Sequence, residues 1–199
     1  MHHTPLQSAF CCAFFLLLAS GCGQKAVEPP SASETPESRP QAEAAAEPAE
    51  NPLWIDIPNA KMPFEGILTG GQPTPEQVEE AARAGYRTVV NLRTPGEKGS
   101  WDEAPKAAEL GLAYFDLPIS GGDDLTPENA RKLSEIVSSA ESLPAMVHCA
   151  SGNRVGALFA IKAFHVDGED AETAMRQGLE AGLTRLEKAV EERLVPADP

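Results

Sequence analysis

The feature that most restricts the fold is an alternation. Short apolar runs rich in β-branched and aromatic residues take turns with longer amphipathic segments that open on helix-capping residues. The short runs are Ile67 to Thr69, Arg87 to Leu92 (RTVVNL), Leu112 to Leu117 (LAYFDL) and Ala145 to His148 (AMVH). Between them, Thr74-Pro75-Glu76-Gln77 places a cap, a first-turn proline and a glutamine three residues after the cap, predicting a helix that ends near Gly85. Ser100-Trp101-Asp102-Glu103 reads as a second capping box, opening a helix that stops at Gly111, and Thr126-Pro127-Glu128 opens a third that runs to about Ala140. Beyond residue 154 the pattern predicts helices over Val155 to His165, Asp170 to Gly178 and Leu183 to Leu194. Strands alternating with helices give an α/β fold with a mostly parallel central sheet flanked by helices. In such sheets ligands bind beyond the C-terminal ends of the strands.

The alternation begins only after residue 51. Met1 to Gly21 contains no Asp, Glu, Lys or Arg, and Ala9 to Ala19 is an apolar run of eleven. A bilayer-spanning helix needs about 20 apolar residues, so this run suits a signal-peptide core over residues 1–21. Leu18-Ala19-Ser20-Gly21-Cys22 resembles the lipobox of bacterial lipoproteins, which implies cleavage before Cys22 and a lipid on that cysteine. Residues 22–51 then form a tether of Pro, Ala, Glu and Ser with too little large apolar surface to offset its ordering entropy. As a flexible coil the stretch from Gln24 to Asn51 spans roughly 30 Å root-mean-square. About 148 residues remain, 52–199, enough for one domain with a proper core.

Charge and cysteine use follow from that division. The whole chain carries −14; the tether holds six glutamates against Lys25 and Arg39, so −4 belongs to it and −10 to the domain. An acidic domain without a Lys/Arg cluster argues against nucleic acid as a partner and against docking on anionic lipid. With Cys11 and Cys12 in the signal and Cys22 lipidated, Cys149 is the one free thiol of the mature chain. A lone thiol forms no intramolecular disulfide, so Cys149 serves packing or chemistry.

Its surroundings favour chemistry. Val147-His148 runs into Cys149-Ala150-Ser151-Gly152-Asn153-Arg154, a loop at the end of a strand and the start of a helix. Backbone N–H groups of Ala150, Ser151, Gly152 and Asn153, with the helix dipole, are placed to cradle an anion. The same field stabilises a thiolate. Gly152 supplies backbone freedom, and the planar fork of Arg154 matches two oxygens of a tetrahedral anion. Were Cys149 mere packing, Arg154 would be a poor first-turn residue, because a cation there opposes the dipole.

The pattern His148-Cys149-x-x-Gly152-x-Arg154 resembles the anion-binding loop of cysteine-based protein phosphatases of the tyrosine and dual-specificity class. Thr69-Gly70-Gly71-Gln72-Pro73, Val89-Val90-Asn91-Leu92-Arg93, Leu117-Pro118-Ile119 and Gly168-Glu169-Asp170-Ala171 extend the likeness over Ile67 to Leu194. As a set they are most similar to the beta-lactamase-hydrolase-like phosphatase branch of bacteria. The resemblance implies a dual-specificity-phosphatase-like fold and a Cys149 that attacks phosphorus to form a phosphocysteine. It implies that Arg154 and the loop N–H groups hold the phosphoryl oxygens, and that His148 keeps the thiolate low in pKa through the loop backbone. It also implies a general acid at Asp123 or Asp124, with Asp116 nearby on a strand. A solvated turn is the competing use of Asp123 and Asp124, although adjacent carboxylates repel and raise one pKa, which suits an acid.

Two departures stand out: four residues rather than five separate Cys149 from Arg154, and Val155 replaces the usual hydroxyl residue. The four-residue spacing also matches rhodanese-type sulfurtransferases, which would carry a persulfide on Cys149. A third possibility is a non-catalytic anion-sensing module of the envelope. No zinc-ligand spacing and no glycine-rich nucleotide loop is present, so neither metal nor cofactor is expected. His165 at a helix end, Trp54 and Trp101 read as structural. The expected partner is a phosphorylated protein or small phosphate ester, met by a monomer anchored through lipid on the periplasmic face of the bacterial outer membrane.

Overall fold

The computed structural model describes residues 51–97 and 101–195. The N-terminal apolar run, Cys22, the tether up to residue 50, and Ser100 lie outside them. Strands β1 (Lys61–Phe64), β2 (Ile67–Gly70), β3 (Thr88–Asn91), β4 (Ala113–Asp116) and β5 (Ala145–His148) alternate with helices α1 (Pro75–Arg83), α2 (Glu103–Glu109), α3 (Pro127–Val137), α4 (Asn153–His165), α5 (Ala171–Glu180) and α6 (Glu187–Glu191). The strands form one sheet in the order β1-β2-β5-β3-β4. β2, β5, β3 and β4 run parallel, and only β1 is antiparallel, to β2. The expected fold class is therefore the one present. The sequence does not disclose the β1 hairpin at the sheet edge, because Pro63 stands inside a run of only four residues, and proline is confined to edge strands.

Side chains of a strand alternate between faces. Ile67, Val90 and Val147 pack on one side with Leu133, Leu158, Ala174 and Val190, from α3, α4, α5 and α6. Leu68, Val89 and Met146 pack on the other with Val78 and Ala81 of α1 and Ala107 of α2. Both faces are covered, which is why β2, β3 and β5 are buried at every residue.

The helix starts follow local chemistry where the cap is local. Thr74 Oγ1 accepts from Gln77 N at 3.3 Å and Gln77 Oε1 accepts from Thr74 N at 2.8 Å, the capping box read from sequence. Thr126 and Asp170 cap α3 and α5 by accepting from Asn129 N and Thr173 N, without the returning bond. Three expectations fail. The N-cap of α2 is Asp102, without a side-chain bond, and Glu103 turns into the interior instead of capping. The helix expected over Leu183 to Leu194 shrinks to Glu187–Glu191, because residues 184 to 186 are held by bonds to Asn153. Trp54 is 46% exposed and lies outside both buried clusters, whereas Trp101 packs half-buried against the α1/α2 side of the sheet.

Candidate active site

β5 is the central strand, and its C-terminal end delivers Cys149 between two neighbours. On the β2 side, Cys149 N donates to Gly70 O at 3.2 Å, Gly71 bridges Ser151, and Gln72 N donates to Ala150 O at 3.4 Å. A Cβ on Gly71 would sit 2.9 Å from Ala150 O and from Pro58 Cβ, so this approach requires glycine. On the β3 side, Leu92 N donates to His148 O at 2.8 Å. The loop is thus fastened at both flanks before it turns.

The turn itself is made by Gly152 at φ +86°, a conformation that β-carbon-bearing residues rarely adopt. It aims Gly152 N at the sulfur, and the N–H donates to Cys149 Sγ at 3.1 Å. Cys149 is only 1% exposed and lies at the floor of the loop. α4 starts at the next residue, so the sulfur sits close to the N-terminus of a thirteen-residue helix. A donated N–H and a positive dipole end together make the floor of the loop a place for an anion.

Arg154 is buried on the first turn of α4, but its fork is already engaged. Nη1 and Nη2 each donate to one oxygen of Glu97 at 2.7 Å, and Nη1 also donates to Ile119 O at 2.8 Å. Glu97 lies on a single 3-10 turn, Pro95–Glu97, and accepts further bonds from Thr94 N and Thr94 Oγ1. The Arg154 hydrogen bonds, ahead of those from Thr94, hold the Glu97 carboxyl down at about 2. Arg154 is in turn held charged by Glu97 first and by nearby Cys149 second. The sequence reading gave the whole fork to a bound anion; instead Glu97 and Ile119 fix part of it.

His148 is fully buried, with Nε2 2.9 Å from Glu103 Oε1. The two buried atoms approach without the alignment of a hydrogen bond. Nδ1 lies 3.4 Å from Cys149 O, a loose contact on the loop backbone. Asn91 donates to Glu103 Oε2 at 3.2 Å and to the Tyr114 hydroxyl at 2.9 Å, and that hydroxyl donates to Asp116 at 3.2 Å. A polar chain therefore runs from β4 through β3 and α2 to the residue before Cys149.

The remaining sequence candidates separate. Asp124 is committed: its carboxylate accepts from Ser120 N and Ser120 Oγ, which lowers its pKa. The rise expected from adjacent carboxylates is therefore absent at Asp124, because two donors outweigh the repulsion. Asp123 is fully exposed, 3.7 Å from Arg193. Both sit on the loop that leaves Ile119, the residue whose carbonyl touches Arg154. Asn153 turns its buried side chain away from the loop, and its Oδ1 accepts from Thr184 N, Thr184 Oγ1 and Leu186 N. Sequence reasoning missed Glu97 and Glu103. Thr94-x-x-Glu97 is a readable local pairing, but its reach to residue 154 is not. Among the described residues no cluster of His, Cys, Asp or Glu is arranged to hold a metal.

This geometry has relatives. The family model described as a DSP-PTPase phosphatase fused to NAD+ kinase matches residues 60–192. A beta-lactamase hydrolase-like protein of Xylella fastidiosa is 33% identical over 101 residues, 49% of this chain and 23% of its own length. The chain thus spans less than a quarter of that relative. The catalytic core of the PP-IP phosphatase SIW14 from S. cerevisiae, solved with citrate, superposes with a TM-score of 0.55 at 18% identity, covering 70% of this chain and 87% of that one. TpbA of P. aeruginosa, solved as a cysteine-to-serine variant with pTyr, superposes with a TM-score of 0.53 at 18% identity, covering 70% and 85%. At these identities the two structures speak for the fold.

Proposed function

We propose, for a chain that belongs to the DSP-PTPase phosphatase family, that it hydrolyses phosphate monoesters through a phosphocysteine on Cys149. The observation that carries the reading is the Gly152 N–H donated to Cys149 Sγ at 3.1 Å, with buried Arg154 beside it. It is the arrangement a thiolate nucleophile needs.

In the first step the Cys149 sulfur attacks phosphorus, the S–P bond forms, and the P–O bond to the leaving group breaks. Loop N–H groups from Ala150 to Asn153 and the free part of the Arg154 guanidinium take up the charge on the phosphoryl oxygens. Asp123 is the better of the two acid candidates, because Asp124 already serves Ser120. It gives its proton to the leaving oxygen. Water then attacks phosphorus and gives a proton back to Asp123, the S–P bond breaks, inorganic phosphate departs, and the thiolate returns. Val155 offers no hydroxyl to help the sulfur leave, so the phosphocysteine accumulates and the second step limits turnover.

Substrate class is drawn from neighbours of two kinds: TpbA was solved with pTyr, and SIW14 is a PP-IP phosphatase. Both are consistent with a phosphorylated protein or a small phosphate ester here. The sequence Leu18 to Cys22 supports lipid attachment at Cys22 and placement in a bacterial envelope. Metabolic labelling with a palmitate analogue, lost in Cys22→Ser, tests that part.

The decisive assay is aryl phosphate hydrolysis by the full chain across pH. We expect a burst followed by slow turnover, both abolished in Cys149→Ser. Asp123→Asn should slow alkyl phosphates more than activated aryl phosphates, while Asp124→Asn acts mainly on stability. No turnover by a folded chain, together with sulfur transfer from thiosulfate to cyanide, would overturn the phosphatase reading in favour of a Cys149 persulfide.

A further inference from the structure

Beside the Cys149 loop lies an open cavity of about 570 Å³ whose wall includes Ser151 of that loop. Its rim carries two exposed cations from distant parts of the chain: Lys61 at the start of β1, and Arg185 in the turn between α5 and α6. Neither makes a salt bridge with any described residue, and no carboxylate lines this cavity among the described residues. In a domain of net charge −10, where most described Lys and Arg side chains have a nearby carboxylate, two unneutralised cations facing one cavity are a feature to explain.

Both cation-bearing walls are built onto the loop. Asn59, two residues before Lys61, adopts φ +55°, the one described non-glycine residue with positive φ, and its Nδ2 donates to Ser151 O at 3.2 Å. Holding asparagine there has a conformational cost that the surrounding contacts must offset. On the opposite wall, Asn153 Oδ1 accepts from Thr184 N at 2.8 Å and from Thr184 Oγ1 at 3.1 Å, tethering the residue before Arg185. Two loop residues thus bond the chain next to each cation, one on each side. Leu179, 45% exposed, adds an apolar surface at the same rim.

We propose that this cavity is a second anion subsite, and that the preferred substrate is a small phosphate ester bearing a second phosphoryl group on the same carbon skeleton. The inference rests on the phosphatase reading of the Cys149 loop. The scissile phosphate sits on the loop, the second phosphate meets Lys61 and Arg185, and Leu179 contacts the carbon between them. The volume is that of small-molecule sites, about 300–1,000 Å³. Two cations on one cavity add affinity chiefly for a ligand that reaches both sites at once.

The test uses the full chain carrying Cys149→Ser, which binds without turning over, and calorimetric titration with α,ω-alkanediol bisphosphates of increasing length beside the matching alkyl monophosphates. We expect one length to bind at least tenfold tighter than its monophosphate. The double substitution Lys61→Gln/Arg185→Gln should bring that ratio close to one. The proposal is overturned if every bisphosphate binds only as its monophosphate does, or if the advantage survives the double substitution. It is also overturned if a phosphotyrosyl peptide with flanking glutamates gains from Lys61 and Arg185 while no bisphosphate does. Failure of the underlying reading looks different: neither monophosphate nor bisphosphate binds, and the unsubstituted chain hydrolyses no aryl phosphate.

Discussion

Two glutamates, six residues apart on one connection, each meet a nitrogen-bearing side chain beside Cys149, and they do so in opposite surroundings. Glu103 meets His148 in the interior, where their side chains are 6% and 0% exposed. Glu97 meets Arg154 at the edge of the site, with 38% of its own side chain exposed. The buried pair lies behind Cys149 on the strand side and has no solvent to fall back on. The rim pair lies in front, where the guanidinium is held in place and, on the proposed reading, still has donors to spare for an anion. The same residue type thus serves support in one place and alignment in the other, and burial decides which.

The contrast can be broken from its buried end first. Glu103→Ala leaves His148 and the Asn91 amide enclosed and without their carboxylate, and we expect a loss of about 1–3 kcal/mol in urea unfolding. Glu103→Gln keeps the shape and the bond from Asn91 within reach of repair, and should lose clearly less. At the rim, Glu97→Gln should cost within about 1 kcal/mol of stability, as expected for a partly exposed pair. Its effect belongs in kcat/KM, lowered by about 10- to 100-fold as Arg154 loses its alignment. If Glu97→Gln proves the more destabilising of the two, burial is not what separates the pairs.

Acid sharpens the same comparison at smaller scale. The Glu97 carboxyl falls from its ordinary 4.5 to about 2 in the folded chain, chiefly through Arg154. A depressed folded pKa contributes stability that is complete above the unfolded value and lost as pH falls through the folded one. The stability difference between the unsubstituted chain and Glu97→Gln should therefore be constant above about pH 4.5 and vanish toward pH 2. Thermal unfolding midpoints over that range measure it.

What the sequence could reveal divides along the reach of each interaction. Thr74 with Gln77, Thr126 with Asn129, and Gly152 between Cys149 and Arg154 are local, so their spacing discloses their roles. The alternation of buried strands likewise discloses a sheet covered on both faces. The Glu97–Arg154 pair spans 57 positions and the His148–Glu103 pair 45, and no local pattern announces either. Leu183 to Leu194 shows the converse failure. Its helical periodicity is real, but three bonds from the Asn153 side chain hold residues 184 to 186 in a turn, and tertiary contact overrides propensity.

Gly156 sits two residues beyond Arg154 on α4, where a Cβ would come within 2.0 Å of Leu183 N and 2.5 Å of Gly178 O on the adjoining chain. Backbone meets backbone there, which leaves α4 no room to slide along or roll against its neighbour. One end of the loop is therefore set by β5 and the other by this crossing, two fixed posts with four residues strung between them. A fifth residue could not be absorbed by pushing the helix back; it would have to bulge outward, carrying the cradle away from the sulfur. The short loop is in that sense a dimension of the scaffold, set by how closely two helices touch before any substrate arrives.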